Sequence, residues 1–169
     1  MVTTKDIQVL DMFMQAYNIP YVLTGTAALM VHGILPEGYV ADDIDVIVLV
    51  NKKEDSHKFN QVEKTLTELQ SLSGNKKCES YDVITFNANG TKVNAFMGGK
   101  EIYKKETSCQ DNYIGAFGET GKCTTMIIKD RYICVSDVLC VLKAKFGLKR
   151  NKDYKFAKDL ASTILNIGF

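Results

Sequence analysis

Two aspartates stand two residues apart where an apolar stretch begins, in the segment Asp42-Asp43-Ile44-Asp45-Val46-Ile47-Val48-Leu49. Side chains alternate between the faces of a strand, so Asp43 and Asp45 share one face and Ile44 takes the other. Two neighbouring carboxylates repel each other and resist the loss of water. A divalent cation relieves both costs, and magnesium is the usual one when all ligands are oxygens. The pair therefore predicts a metal site, with a solvent-facing pair of acids at a strand edge as the alternative.

A glycine turn lies upstream of these acids, in Tyr21-Val22-Leu23-Thr24-Gly25-Thr26-Ala27-Ala28-Leu29. This stretch predicts a short strand, a turn at Gly25 and the start of a helix. A lone glycine is more often an ordinary turn residue than part of a ligand site. Its meaning therefore depends on whether the turn lies beside the acids.

Composition describes an ordinary globular domain and excludes few functions. The chain has 169 residues, of which 46% are hydrophobic and 24% charged. These fractions are typical of a single folded domain. Lys and Arg number 21 against 20 for Asp and Glu, which leaves a formal net charge of +1. That balance gives no support for a dedicated nucleic-acid coat, although it permits a local basic patch.

The cysteines and the chain start predict a cytoplasmic protein. The five cysteines are scattered, without a C-x-x-C pair, at positions Cys78, Cys109, Cys123, Cys134 and Cys140. An odd, dispersed set favours unpaired thiols in a reducing compartment over a disulfide framework or a zinc site. No secretory signal pattern and no apolar run of about 20 residues is visible, so we expect no membrane span.

The order of elements predicts an α/β (α+β) domain with a helical tail. A helix capped at Thr4 precedes the strand at 21–24, a helix at 27–32 follows it, and the acid-bearing strand covers 43–50. Further on we predict a helix with Phe59 and Leu66 inward, two hairpins turning at 89–90 and 129–130, and helices beginning at Ser136 and Asn151. Residues 1–135 form the expected core, and the helices of 136–169 pack on it as part of one compact domain.

The combination of motifs resembles the nucleotidyltransferase superfamily that shares the DNA polymerase beta palm. Its small antibiotic-modifying, minimal and abortive-infection-toxin members are the most similar. Three stretches carry the likeness: Leu23-Thr24-Gly25-Thr26-Ala27 at the glycine turn, Asp43-Ile44-Asp45 at the metal site, and Leu142-Lys143-Ala144 with Arg150-Asn151-Lys152-Asp153 at the C-terminal helices. The resemblance implies a nucleotidyltransferase-type mixed sheet flanked by helices, with a C-terminal helical pair.

The resemblance also implies roles for these residues. Asp43 and Asp45 would hold Mg²⁺ or Mn²⁺ together with the phosphates of an NTP donor. Gly25 and Thr26 would cradle the triphosphate, because a missing Cβ, a hydroxyl and free helix N–H groups suit an anion. Three cations, Lys143, Arg150 and Lys152, would contact phosphate. A solvated helix face is the alternative reading of those three residues.

The sequence departs from the family pattern at the third carboxylate. The matching stretch is Lys92-Val93-Asn94-Ala95-Phe96, so Asn94 joins Asp43 and Asp45 in the catalytic set. An amide can ligate through its carbonyl oxygen, yet it supplies no negative charge and cannot act as a base. Asp82 on the preceding strand is a candidate substitute. Tyr39 and Ala41 also replace the usual Arg and Ser or Thr upstream of the acids.

The resulting hypothesis is a metal-dependent nucleotidyltransferase that moves a nucleoside monophosphate from an NTP to a hydroxyl acceptor. The alternative is a catalytically degenerate protein of this fold that binds nucleotide or a protein partner without turnover. The acceptor stays open between a small molecule, a protein and RNA, and so does assembly as a homodimer.

Overall fold

The computed structural model describes residues 1–50, 52, 55–69, 76–77, 81–99, 112–114, 120–147 and 149–167. These residues form five helices: α1 (Thr4–Ala16), α2 (Gly25–Val31), α3 (Ser56–Glu68), α4 (Val138–Gly147) and α5 (Asn151–Ile167). They also form eight strands: β1 (Tyr21–Thr24), β2 (Ile44–Val48), β3 (Lys76–Lys77), β4 (Tyr81–Ala88), β5 (Thr91–Gly99), β6 (Asn112–Ile114), β7 (Thr120–Ile128) and β8 (Arg131–Ser136). The predicted α/β order of elements, ending in a helical pair, is confirmed.

Two predicted helix starts are wrong by one or two residues. Thr3, not Thr4, caps α1, because the Thr3 hydroxyl accepts from the Asp6 N–H while the Asp6 carboxylate accepts from the Thr3 N–H at 2.8 Å. This reciprocal capping box satisfies two N–H groups at once. Ser136 is the last residue of β8, and α4 begins two residues later at Val138. The Asp137 carbonyl accepts the first bond of that helix, from Val141.

The strands lie in one mixed sheet in the order β3-β4-β5-β2-β1-β8-β7-β6. The centre combines antiparallel β1–β2 pairing with parallel β2–β5 and β1–β8 pairing. Both predicted hairpins, β4–β5 and β7–β8, are confirmed. The turn at Asn89-Gly90 has positive φ at both residues, as a type I′ turn requires.

All five helices contribute to one hydrophobic core on one face of the sheet. Ile44 and Val46 of β2 and Val93 and Ala95 of β5 point into this core and are fully buried. Residues between them along each strand therefore point to the opposite face. A smaller apolar cluster of Val22, Ile47 and Cys123 lies on that second face. The intervening polar residues of the second face form the candidate site.

A buried acid ties α1 to the sheet. Asp11 is 2% exposed and accepts hydrogen bonds from the Tyr21 hydroxyl at 2.6 Å and from Arg131 Nε. Gln15 adds a long contact at 3.5 Å. Burial, followed by the hydrogen bond to Asp11, raises the pKa of Tyr21 far above its usual range. The carboxylate is therefore fully compensated by the fold.

Several predictions concern residues that lie outside the described part. The region 100–121 is described only at 112–114 and 120–121, so the strand expected near 101–103 lies outside it. Cys78 and Cys109 also lie outside the described residues, so the prediction made for their thiols is not tested. The prediction of unpaired thiols is wrong for Cys134, which is disulfide-bonded. Within the residues described, no helix has both the length and the apolar character to cross a bilayer.

Candidate functional site

Four polar side chains form a row across neighbouring strands on the second face of the sheet. In register, Thr85 of β4 pairs with Asn94 of β5, Asn94 with Asp45 of β2, and Asp45 with Thr24 of β1. Asp43 precedes β2 by one residue and reaches the same cluster through Asn94. Strand pairing thus assembles residues from four separate segments of the chain.

The Asn94 amide bridges the two acids. Its Nδ2 donates to Asp43 Oδ2 at 3.1 Å and to Asp45 Oδ1 at 3.0 Å. Its Oδ1 accepts from the Thr85 hydroxyl at 2.9 Å. This direction of the amide is the favourable one next to two ionised acids, since an oxygen facing two carboxylates would be repelled. Asn94 therefore holds Asp43 and Asp45 together through hydrogen bonds from a neutral group.

A neutral amide leaves Asp45 poorly compensated. Burial raises the pKa of Asp45 to about 6, against the hydrogen bond from Asn94, which lowers it. The Asp43 charge raises this pKa further, while Lys145 and Lys92 lower it. Removal from water disfavours the ionised form of an acid. The carboxylate is thus a site where added positive charge would be stabilising.

The glycine turn lies directly against Asp45. Gly25 has a φ of +67°, and a Cβ built on it would stand 2.4 Å from Asp45 Oδ2. A side chain at this position would meet both a strained backbone conformation and the carboxylate. The expectation that the turn lies beside the acids is therefore met. The close approach that explains this glycine is that of the Asp45 carboxylate, and Thr26 follows it in the first turn of α2.

Two lysines place positive charge beside the acids. Lys92 Nζ lies 3.9 Å from Asp43 Oδ2, and its side chain is 50% exposed. Lys145 of α4 acts on the pKa of Asp45 by its charge and stacks its Nζ 4.7 Å from the centre of the Phe156 ring. Burial lowers the pKa of Lys145, and Arg150 and Lys152 lower it too, whereas Asp153 and Asp45 raise it. Lys145 is accordingly a partly desolvated cation whose charge acts on Asp45.

The three C-terminal cations of the sequence hypothesis have different surroundings. Arg150 forms a two-pronged pair with buried Asp153, through Nε at 2.7 Å and a terminal nitrogen at 2.9 Å. This pair lowers the pKa of Asp153, and the Arg150 N–H also donates to it at the start of α5. Lys143 and Lys152 are exposed. The structure thus gives Arg150 a structural partner and leaves the phosphate roles of all three as predictions.

Tyr39 and Ala41, which stand where the family usually has Arg and Ser or Thr, both make structural contacts. The Tyr39 hydroxyl donates to Asp159 at 2.7 Å and its ring packs edge-on against Phe156 of α5. Ala41 is buried, and its carbonyl accepts from the Val2 N–H at 2.7 Å. Both residues therefore connect the loop before β2 to the rest of the fold. The Asp82 side chain lies outside what the structure describes.

The side-chain oxygens of Asp43, Asp45 and Asn94 could surround a divalent cation if the Asn94 amide rotated by a half-turn. Asp43 and Asp45 provide hard oxygen ligands, whereas Asn94 directs N–H groups at the same oxygens. A half-turn of the amide would bring its carbonyl oxygen toward the acids and its N–H₂ group toward Thr85, whose hydroxyl can accept as well as donate. Across the described residues, His, Cys, Asp and Glu form no cluster of three or more that could hold a metal. Asn94 is the neighbouring residue whose carbonyl oxygen could add to the two carboxylates.

Three site residues were missed by sequence reasoning although signals for them exist. A two-residue turn at Asn89-Gly90 sets the hairpin register, and counting back from it pairs Thr85 with Asn94. The Leu-x-x-Lys spacing counted from Leu142 reaches Lys145 rather than Lys143. The signal for Lys92 was its position two residues before Asn94 on the same strand face.

Comparison with known proteins gives distant structural similarity and no match in sequence. No protein-family model and no curated protein matches the chain. The chain is similar to the crystal structure of an antigenic nucleotidyltransferase-like protein from Paracoccidioides brasiliensis, with 15% identity and a TM-score of 0.49. The similarity covers 95% of this chain and 74% of that one. A likeness this distant assigns no ligand or activity, so function has to be argued from the site.

Proposed function

We propose that this chain is a nucleotidyltransferase, which binds an NTP with Mg²⁺ or Mn²⁺ at Asp43 and Asp45 and transfers its nucleoside monophosphate to a hydroxyl acceptor, with pyrophosphate as the leaving group. The observation that carries the proposal is the meeting of two carboxylates, one with its pKa raised to about 6, with the turn at Gly25. Uncompensated acids beside an anion-accommodating turn are what a cation–polyphosphate complex requires.

The residues of the chain have separable tasks in this proposal. Bound at Asp43 and Asp45, the cation would neutralise charge on the phosphates and favour in-line displacement at the α-phosphorus. Asn94 holds the two acids close together through the hydrogen bonds that its amide donates to them. Gly25 lets the turn lie against the Asp45 carboxylate, and Gly25 and Thr26 would together offer hydrogen-bond donors to a triphosphate bound there. Lys145 and Lys92 would oppose the remaining phosphate charge.

Proton removal from the acceptor hydroxyl needs a group other than Asn94. An amide does not accept a proton at neutral pH. Asp45 is the acid with the raised pKa, but as a cation ligand it would be held ionised. The acceptor is therefore expected to be a hydroxyl whose proton leaves to solvent or to the acceptor's own groups. A small molecule, a protein and RNA all remain open as acceptors.

The second candidate function is nucleotide binding without turnover, and Asn94 is the observation in its favour. Its amide already joins the acids without a cation. A protein of this kind would use nucleotide occupancy to control a protein partner. Binding and transfer share the same cation-dependent nucleotide complex, so one experiment separates them.

The experiment is calorimetry with each of the four NTPs, with and without Mg²⁺, followed by transfer from α-labelled NTP into a mixture of small molecules, protein and RNA. Magnesium-dependent binding with label transfer supports the transferase, and binding with no transfer supports the second candidate. Asp45→Asn should abolish magnesium-dependent binding. Asp130→Asn, at an exposed hairpin turn, is the matched control and should bind as wild type does. Equal NTP affinity in wild type and Asp45→Asn would refute both candidates.

A further inference from the structure

Hydrogen-bond donors from β5 face the acid pair. The Asn94 amide donates to Asp43 Oδ2 at 3.1 Å and to Asp45 Oδ1 at 3.0 Å. Lys92 Nζ lies 3.9 Å from the same Asp43 oxygen. Lys92 and Asn94 are two residues apart on β5, so their side chains share the face of the sheet that carries the acids. The β5 side of the acid pair therefore carries two N–H groups and an ammonium group.

The Asn94 amide is held in this direction by Thr85 of β4. Thr85 is 5% exposed, and its hydroxyl donates to Asn94 Oδ1 at 2.9 Å. A half-turn of the amide would take this acceptor away from the buried O–H group and point N–H groups at it instead. A buried donor that loses its acceptor is costly. The bond from Thr85 therefore keeps the donor end of the amide toward the acids.

The two acids differ in what lies beside each of their oxygens. The bonds from Asn94 go to Oδ2 of Asp43 and Oδ1 of Asp45. The other oxygen of Asp45, Oδ2, lies against the glycine turn, 2.4 Å from where a Cβ on Gly25 would stand. That turn is the one proposed to receive the triphosphate. The oxygen of Asp45 that faces away from the amide is thus the one next to the proposed nucleotide site.

The charge of the acid pair matches a single divalent cation. Asp43 and Asp45 supply two negative charges, and the described part of the chain brings no third acid, His or Cys into a group that could hold a metal. In two-metal sites the ions lie about 3.5–4 Å apart. A second ion on the β5 side would meet the N–H groups of Asn94 and the ammonium group of Lys92, which repel it.

We propose that Asn94, held by Thr85, limits the acid pair to one divalent cation, so that this chain binds its nucleotide with one metal ion rather than two. This inference rests on the proposed function, because it concerns the same cation site. It makes Asn94 a residue that excludes a cation, and Thr85 the positioning residue that fixes its amide. Lys92 supplies positive charge on the side from which the second ion is excluded.

The test counts bound Mn²⁺ by electron paramagnetic resonance in the presence of a non-hydrolysable ATP analogue. The wild-type chain should hold one Mn²⁺. Asn94→Asp replaces the donor end of the amide with an oxygen and adds a negative charge, so it should hold two. Asn89→Asp makes the same chemical change at the exposed turn between β4 and β5 and should stay at one. Two Mn²⁺ in wild type, or one in folded Asn94→Asp, would overturn the inference and leave the proposed function standing.

A second readout needs only the wild-type chain. Three adjacent carboxylates destabilise Asn94→Asp without metal, so that variant is prepared in Mn²⁺ and its fold is checked by circular dichroism. If it does not fold, the wild-type spectrum decides, because two Mn²⁺ ions about 4 Å apart couple magnetically and a single ion does not. An uncoupled signal supports the inference, and a coupled one overturns it. A wild-type chain that takes up no Mn²⁺, with or without the analogue, would overturn the proposed function itself.

Discussion

Asp11 and Asp45 are two acids within one fold whose partners differ in kind. Asp11, on the helix-covered side, receives a charged partner, Arg131, and a hydroxyl from Tyr21. Asp45, on the opposite face, receives only an amide, and another acid stands beside it. The first site is complete without any ligand. The site at Asp45 lacks a full positive counter-charge, which is typical of a site that binds a ligand reversibly.

Asp153 supports the same distinction. It is 1% exposed, and Arg150 pairs with it through two nitrogens at the start of α5. Asp11 and Asp153, the two buried acids with structural roles, are each paired with an arginine. Asp43 and Asp45 have lysines nearby instead, at longer range and partly exposed. A lysine on a flexible side chain can contact a bound ligand as well as the neighbouring acid.

The largest expected effect is a loss of stability when Asp11 loses its charged partner. Arg131→Met removes the charged partner of Asp11 and leaves a buried carboxylate with only neutral donors. Removing one member of a buried ion pair costs about 3–5 kcal/mol of unfolding free energy. Urea unfolding would measure the loss, with exposed Lys129→Met in the adjacent turn as the control. A change below about 1 kcal/mol would mean that Asp11 does not depend on Arg131.

The next effect tests the contact between the glycine turn and Asp45. Gly25→Ala introduces a Cβ that would stand 2.4 Å from the carboxylate at positive φ. Gly33→Ala is the matched control, because its φ is +75° and nothing lies within 4 Å of its added Cβ. We expect a loss of about 1–2 kcal/mol for Gly33→Ala, from backbone strain alone, and a larger loss for Gly25→Ala. Equal losses at both glycines would disprove the close contact with Asp45.

For Asp45→Asn we expect a smaller change in stability, and this variant should be more stable than wild type at neutral pH. The folded-state pKa of Asp45 is about 6, above its ordinary value of 3.8, so the folded chain binds the proton more tightly. This contribution to stability is fully present below pH 3.8 and is lost as the pH rises through 6. Asp45→Asn should therefore match wild type near pH 3.5 and exceed it at pH 7.5, by at most about 3 kcal/mol.

Thermal or urea unfolding across this pH range checks the Asp45 prediction. Asp130→Asn, which changes an exposed acid, should show no such divergence. If wild type and Asp45→Asn stay parallel from pH 3.5 to 7.5, Asp45 is compensated as well as Asp11 and the contrast between the two sites fails.

The smallest effect separates the two lysines of α4. Lys145→Met should weaken magnesium-dependent NTP binding about fivefold to tenfold, because a charge-assisted phosphate contact is lost. Lys143→Met, two residues away and exposed, should change it less than twofold. Calorimetry on the two variants gives the comparison. A larger loss for Lys143→Met would restore the original assignment of the phosphate contact to that residue.

Local patterns in the sequence predicted most of the elements and the centre of the site. Strand alternation put Asp43 and Asp45 on one face, and the Asn-Gly turn defined the β4–β5 hairpin that carries Thr85 and Asn94. These features depend on residues close in sequence. Helix starts were less accurate, because Thr3 and Thr4 are both acceptable caps until the Asp6 side chain selects one.

Features that depend on distant contacts were not visible in the sequence. Lys143 and Lys145 look equivalent in the sequence, and only packing against α5 half-buries Lys145, over the Phe156 ring, while Lys143 stays exposed. Arg150 reads as a phosphate ligand until Asp153 is seen to be buried beside it.

The amino-acid order alone determined which residues could meet, through the two-residue period of strands and the register of a tight turn. The packed fold determined which of them do meet, since the parallel β2–β5 pairing brings Asn94 to Asp45 across almost fifty residues of chain. It also set their charge state, because desolvation and neighbouring charges exist only once the strands and helices are assembled.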